Sequence, residues 1–158
     1  MFKISRRLDY GLQLMIALAA DNDGRPQPSA KLAEKLQIPL PFLHQIAHTL
    51  MQSGLIKASP GPRGGLRLNQ PAKSVSVLKI TETLEGPVVL TPCLDCTDNC
   101  VRKDGCVTQF MWSDLQGKVI KHLESVNLEM LAAQQASTAV FDLAQTETKR
   151  VPQPIAAD

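Results

Sequence analysis

Between Ile4 and Ala20 the apolar residues Leu8, Leu12, Met15, Ile16 and Ala19 recur at steps of three and four, which predicts an amphipathic helix. The run Asp21-Asn22-Asp23-Gly24 ends it, because Asn and Gly accept turn conformations that other residues resist. After Pro26 and Pro28, Ser29 is in position to cap a short helix, SAKLAEKLQ, with Ala30, Ala33 and Leu36 on one face. Pro39 breaks that helix. Pro41 then suits the first turn of another, where its missing N–H would have no partner in any case. Phe42, Leu43, Ile46, Ala47 and Leu50 form the buried stripe of this helix, and Gly54 is placed to end it in a left-handed conformation. Two short helices across a tight turn make a helix-turn-helix.

Beyond Gly54 the period changes. LIKAS and LRLNQ alternate apolar with polar residues around the glycine-rich PGPRGG, which predicts a two-stranded hairpin with Arg63 at its tip. Residues 75–86, VSVLKITETLEG, predict a further short helix stopped by Gly86-Pro87. From residue 107 to 133, Met111, Leu115, Val119, Leu123, Val126 and Met130 recur at steps of four, four, four, three and four. That pattern predicts one long amphipathic helix, whose apolar seam suits dimerisation. The expected fold is therefore mainly α with a small β-hairpin. Residues 1–88 form a winged helix-turn-helix domain, 89–106 a cysteine-rich loop, 107–133 a dimerisation helix, and 134–158 a tail with no assigned role.

Charge sharpens this picture. Residues 1–70 hold 9 Lys and Arg against 4 Asp and Glu, whereas residues 71–158 hold 8 against 11. A basic front half on a nearly neutral chain suits a module that meets phosphate. A hairpin carrying an arginine among glycines suits a wing that reaches a groove of DNA. The N-terminal stretch has basic residues before an apolar run, as an export signal does. Asp9 and Gln13 interrupt it, and acidic residues stand where a cleavage site should lie, so a cytoplasmic protein is expected. Three histidines and one tyrosine leave no Ser/His/Asp grouping, and GPRGG does not open a helix as a phosphate loop would. An enzyme is not expected.

All four cysteines fall between Cys93 and Cys106, spaced C-x2-C-x3-C-x5-C. Structural disulfides suit small exported domains and fit poorly here. Zinc is favoured by thiolates, yet only Cys93 and Cys96 make the usual knuckle pair. Asp95, Asp98 and Asp104 oppose thiol ionisation, so charge compensation must come from a metal centre, helped by Arg102 and Lys103. An iron–sulfur cluster answers the same requirement on a loop that small oxidants can reach. Spacing alone leaves zinc and cluster level.

Five motifs in order resemble the iron–sulfur-responsive winged-helix regulators of the IscR and NsrR type, the Rrf-two family. They are RRLDYGLQLMIALA, IPLPFLHQIAHTLMQSGLI, GPRGGLRL, ITETLEG and the spaced cysteines leading into CVTQFMWSDL, together covering about residues 1–133. The resemblance implies three cluster ligands, Cys93, Cys100 and Cys106, with Cys96 as an extra thiol, holding a [2Fe-2S] or [4Fe-4S] cluster. The alternative is a zinc-binding or thiol-switch regulator without a cluster. Relatives fill a fourth iron position with a histidine three residues past the last cysteine, or with an acid from the first helix of the other subunit. Gln109 stands at the first place, so Asp9 or Cys96 is the expected fourth ligand. The reading helix spans about Pro41–Gln52, with Pro41, His44, Gln45 and His48 toward bases; Gln pairs well with adenine. Arg63 is expected in the minor groove or on phosphate. Lys3, Arg6, Arg7 and Lys31 are expected on backbone phosphates. A homodimer on an imperfect palindrome follows from two such helices set about one helical turn apart.

Overall fold

The computed structural model of the chain describes residues 3–21, 24–61, 64–95, 106–135 and 137. Ser5 opens the first helix, α1 (Arg6–Ala20), by accepting from the Leu8 N–H at 3.0 Å. Its hydroxyl also donates to Glu85 Oε1 at 2.8 Å, tying the start of α1 to the end of a later helix. The face of α1 in the core carries Leu8, Gly11, Leu14, Met15 and Leu18. Leu12 and Ile16, expected on that stripe, are half-buried and line a groove toward the C-terminal helices.

α2 (Ser29–Leu36) is capped at its start by Pro28 instead of Ser29, which takes the first helical position and makes no cap bond. Leu32 and Ala33 are its buried residues, and Ala30 is exposed. The helix ends on Gln37, left-handed at φ 54°, with Gln37 N–H donating to Glu34 O and Ile38 N–H to Ala33 O. That is the two-bond Schellman closure. α3 (Leu40–Gln52) begins as expected, with Pro41 in its first turn, and buries Leu43, Ile46, Ala47 and Leu50. It closes in the same way on Gly54 at φ 73°, with Gly54 N–H to Met51 O and Leu55 N–H to Leu50 O.

The hairpin pairs β1 (Ile56–Ser59) with β2 (Gly65–Leu68) antiparallel, in the register Ile56↔Leu68 to Ser59↔Gly65. Gln27 adds a bridge to the free side of β2 through two reciprocal bonds with Leu66, each 2.8 Å. The paired glycines serve close approach: a Cβ on Gly65 would overlap the Gln27 carbonyl, and one on Gly64 the Ser59 carbonyl. Arg63 lies outside the described residues.

After a short turn, Ala72–Ser74, Ser76 caps α4 (Val77–Glu85) by accepting from Lys79 N–H at 3.2 Å. α4 packs on α1, and Gly11 permits the approach, since a Cβ there would overlap Leu84 Cδ1. A second short turn, Pro92–Leu94, carries Cys93, and α5 runs Val107–Ser125.

The continuous helix expected over 107–133 is observed as two. Val126 is extended at φ −96°, ψ 125°, and residues 128–135 form a separate helix, α6. The break is held by an antiparallel bridge between Ser76 and Asn127, with Val77 N–H donating to Val126 O at 2.9 Å and Leu128 N–H to Val75 O at 3.0 Å. Asn127 Oδ1 then caps α6 by accepting from Met130 N–H at 3.0 Å. Leu128 is fully buried in the domain core beside Leu14, Leu43 and Ile80. α5 itself buries no residue, and Val107, Phe110 and Met111 stand 81%, 79% and 49% exposed along it.

Candidate nucleic-acid interface and cysteine loop

Because Leu43, Ile46, Ala47 and Leu50 fix one side of α3 in the core, the opposite side must face outward. Pro41, His44, Gln45 and His48 are all exposed there. The hairpin stands beside this face, and the two enclose a cleft of about 530 Å³ lined by His44, His48, Met51, Ala58 and Leu66. His44 Nε2 lies 3.2 Å from Ser29 Oγ, so α2 and α3 are joined at the cleft. Tyr10 and Phe42 meet edge to face at 5.7 Å and dock α1 on the first turn of α3.

The basic residues surround this face at different depths. Lys3, Arg6, Arg7 and Lys31 are exposed, and Lys57 faces Arg67 across the hairpin. Arg7 donates to Thr49 Oγ1 at 3.0 Å, which holds its guanidinium against α3. Arg6 donates to the Tyr10 hydroxyl at 3.4 Å. Arg6 and Tyr10 are an i,i+4 pair within α1, whereas the Arg7–Thr49 tether depends on how α1 lies on α3 and has no local mark in the sequence.

The cysteine loop starts and ends on α5. Leu90 N–H donates to Gln116 Oε1 at 3.0 Å, and the Pro92–Leu94 turn packs on the same helix. Cys93 Sγ lies 3.0 Å from Thr91 Oγ1, and Cys106 Sγ lies 3.2 Å from Thr108 Oγ1; both cysteines are half-buried. Cys106 occupies the N-cap of α5. Half-buried cysteines beside threonine hydroxyls, one of them at a helix N-terminus, fit a group held by thiolates. Cys96 and Cys100 lie outside the described residues, as do Asp98, Arg102, Lys103 and Asp104.

Asp9 is exposed, accepts from Gln13 Nε2 at 3.1 Å, and shares a groove of about 360 Å³ with Leu12, Ile16, His122 and Leu123. His122 is sixteen residues along α5 from Cys106, about 24 Å of helix. Asp9 and Cys106 of one chain therefore sit near opposite ends of α5. Among the described residues no helix is long and apolar enough to cross a membrane.

Comparison with known proteins agrees with this geometry. A family model described as Rrf2, an iron-dependent transcriptional regulator, matches residues 4–134. The HTH-type transcriptional regulator IscR of Xenorhabdus nematophila is 29% identical over 143 residues, 90% of this chain and 87% of its own. Among solved structures, CymR, the global cysteine regulator of B. subtilis, superposes with a TM-score of 0.74 at 27% identity. That match covers 85% of this chain and 98% of CymR. IscR of T. potens superposes with a TM-score of 0.67 at 25% identity, over 97% of this chain and 94% of its own. These relatives are regulators and not enzymes, their winged-helix architecture is the one described above, and the chain belongs to the Rrf2 family of transcriptional regulators.

Proposed function

We propose that the protein is a homodimeric regulator that binds a palindromic operator and senses redox state, nitric oxide or iron–sulfur supply through a cysteine-held iron–sulfur cluster. One observation carries this reading: Cys93 and Cys106 are half-buried and flank a loop held on α5, by the Leu90–Gln116 bond just before Cys93 and by Cys106 at the helix N-cap. Cys93, Cys100 and Cys106 hold the cluster, which supplies a centre reactive toward oxidants and nitric oxide. The 24 Å run of α5 bars Asp9 of the same chain from the fourth position, so that ligand is Asp9 of a second copy or Cys96.

The dimer is built on α5. Val107, Phe110, Met111 and Leu115 otherwise leave a contiguous apolar face in water. Pro41, His44, Gln45 and His48 read base edges, Arg63 reaches the minor groove or a phosphate, and Lys3, Arg6, Arg7 and Lys31 lie along the backbone. α5 links the loop to this surface, because its far end leads into the Val126–Leu128 bridge against α4. Loosening the loop shifts α5 and with it the spacing of the two α3 helices.

Fluorescence anisotropy tests the reading. The probe is a duplex recovered by selecting the dimer on a randomised pool, titrated with anaerobic cluster-loaded and metal-free protein. The two forms should differ in affinity, and Arg63→Ala should weaken binding by about 1–3 kcal/mol with a shallower salt dependence. Equal affinity of the loaded and metal-free forms would remove the sensing role, and a silent Arg63→Ala would remove the wing from the interface.

A further inference from the structure

The cleft between α3 and the hairpin holds a donor set whose chemistry extends beyond base reading. His44, His48 and Met51 stand at i, i+4 and i+7 of one helix, and all three line the cleft. Residues four apart on a helix have Cβ atoms about 5–6 Å apart, which brings two imidazoles within chelating reach of one ion. Met51 continues the same face one turn on and is a half-buried residue of the cleft lining. Among the described residues the lining contains no carboxylate, lysine or arginine. Hard cations such as magnesium and calcium therefore find no oxygen cage among these residues.

The geometry points to a copper(I) site formed by His44, His48 and Met51 on the DNA-facing side of α3. Two imidazoles and a thioether are a soft, three-coordinate donor set, which suits copper(I) better than zinc, for which thioether is a poor ligand. Ser29 Oγ, 3.2 Å from His44 Nε2, holds that ring on the α2 side of the cleft, and ligation exchanges this one exposed hydrogen bond for a metal bond. The site is separate from the cysteine loop in both sequence and donor type. Occupancy withdraws His44 and His48 from bases and places a cation and its ligands where the duplex must enter. Copper(I) and operator DNA then exclude one another, a consequence that rests on the DNA contacts proposed for α3.

The test uses the full chain with all four cysteines changed to serine, so that loop thiols do not bind the metal, with folding checked by circular dichroism. Anaerobic competition against the chromophoric copper(I) chelator bicinchoninate should show one copper(I) retained per chain. His48→Ala in that background should lose it, and Met51→Leu should weaken retention at least about tenfold, since loss of an outer-shell partner alone costs 10–100-fold. His122→Ala, which removes the histidine on α5, should change nothing. Retention that survives both His48→Ala and Met51→Leu overturns the site. In the second arm, copper(I) should displace the selected duplex from the cysteine-free chain but not from its Met51→Leu form at the same concentration. Metal retained with the expected variant pattern, while the cluster-loaded wild type shows no specific DNA binding, sinks the DNA reading and leaves the site standing. Specific DNA binding with no copper(I) retained sinks the site alone.

Discussion

Leu128→Ala puts the break at Val126 to a quantitative test. In an unbroken helix over 107–133 this side chain would lie on the exposed α5 rod; in the observed fold it is fully buried against the domain core. Truncation removes three carbons, a transfer loss of about 2.4 kcal/mol at ~0.8 kcal/mol per methylene. A partly relaxed cavity raises this to about 3 kcal/mol, inside the ~2–5 kcal/mol seen for buried Leu→Ala changes. For a chain of this size, that lowers the melting temperature by about 6–12 °C at ~2–4 °C per kcal/mol. Glu129→Ala, the exposed neighbour, is the control and should stay within about 0.5 kcal/mol. Melts followed by circular dichroism at one fixed protein concentration give both numbers and remove the concentration dependence of a dimer. A Leu128→Ala melt indistinguishable from that of Glu129→Ala would refute the docking of α6 on the core.

Two further outcomes follow from single positions. Gln37 holds a left-handed φ of 54°, so Gln37→Gly should raise stability by about 0.5–1 kcal/mol in urea titrations; a loss would show that its side-chain bond to Glu34 O outweighs the backbone strain. Phe110 is 79% exposed on α5, and Phe110→Asp should convert the dimer to monomer in sedimentation velocity while leaving the far-ultraviolet spectrum intact; an unchanged dimer would move the interface off this face.

Much of the architecture was legible because proline and glycine have positional meaning. Pro41 and Gly54 bracket α3 where the sequence placed them, and the switch from a period near four to a period of two located the hairpin. What failed did so for physical reasons. α1 has apolar residues on two faces, and periodicity cannot say that Leu14 and Leu18 meet the core while Leu12 and Ile16 meet a groove. The helix from 107 reads as continuous because Val126 and Met130 keep the spacing of Leu123; the signal against it is Asn127, a good cap, whose bridge to Ser76 is non-local. Ser29 reads as a cap, yet Pro28 supplies the extended residue before α2 and frees the hydroxyl for His44. The exposed set on α3 was readable from its buried stripe alone. The tethers of Arg7 to Thr49 and of Leu90 to Gln116 depend on tertiary approach and left no local trace.

The most direct test of the central claim is the iron, acid-labile sulfide and zinc content of protein purified without oxygen, in the wild type and in four single cysteine-to-alanine variants. The wild type should carry iron and sulfide in comparable amounts with a brown chromophore. Both should be lost in Cys93→Ala, Cys100→Ala and Cys106→Ala and largely kept in Cys96→Ala. Stoichiometric zinc without sulfide in the wild type would contradict the cluster itself. A colourless Cys96→Ala beside a brown Cys100→Ala would contradict the assignment of its ligands.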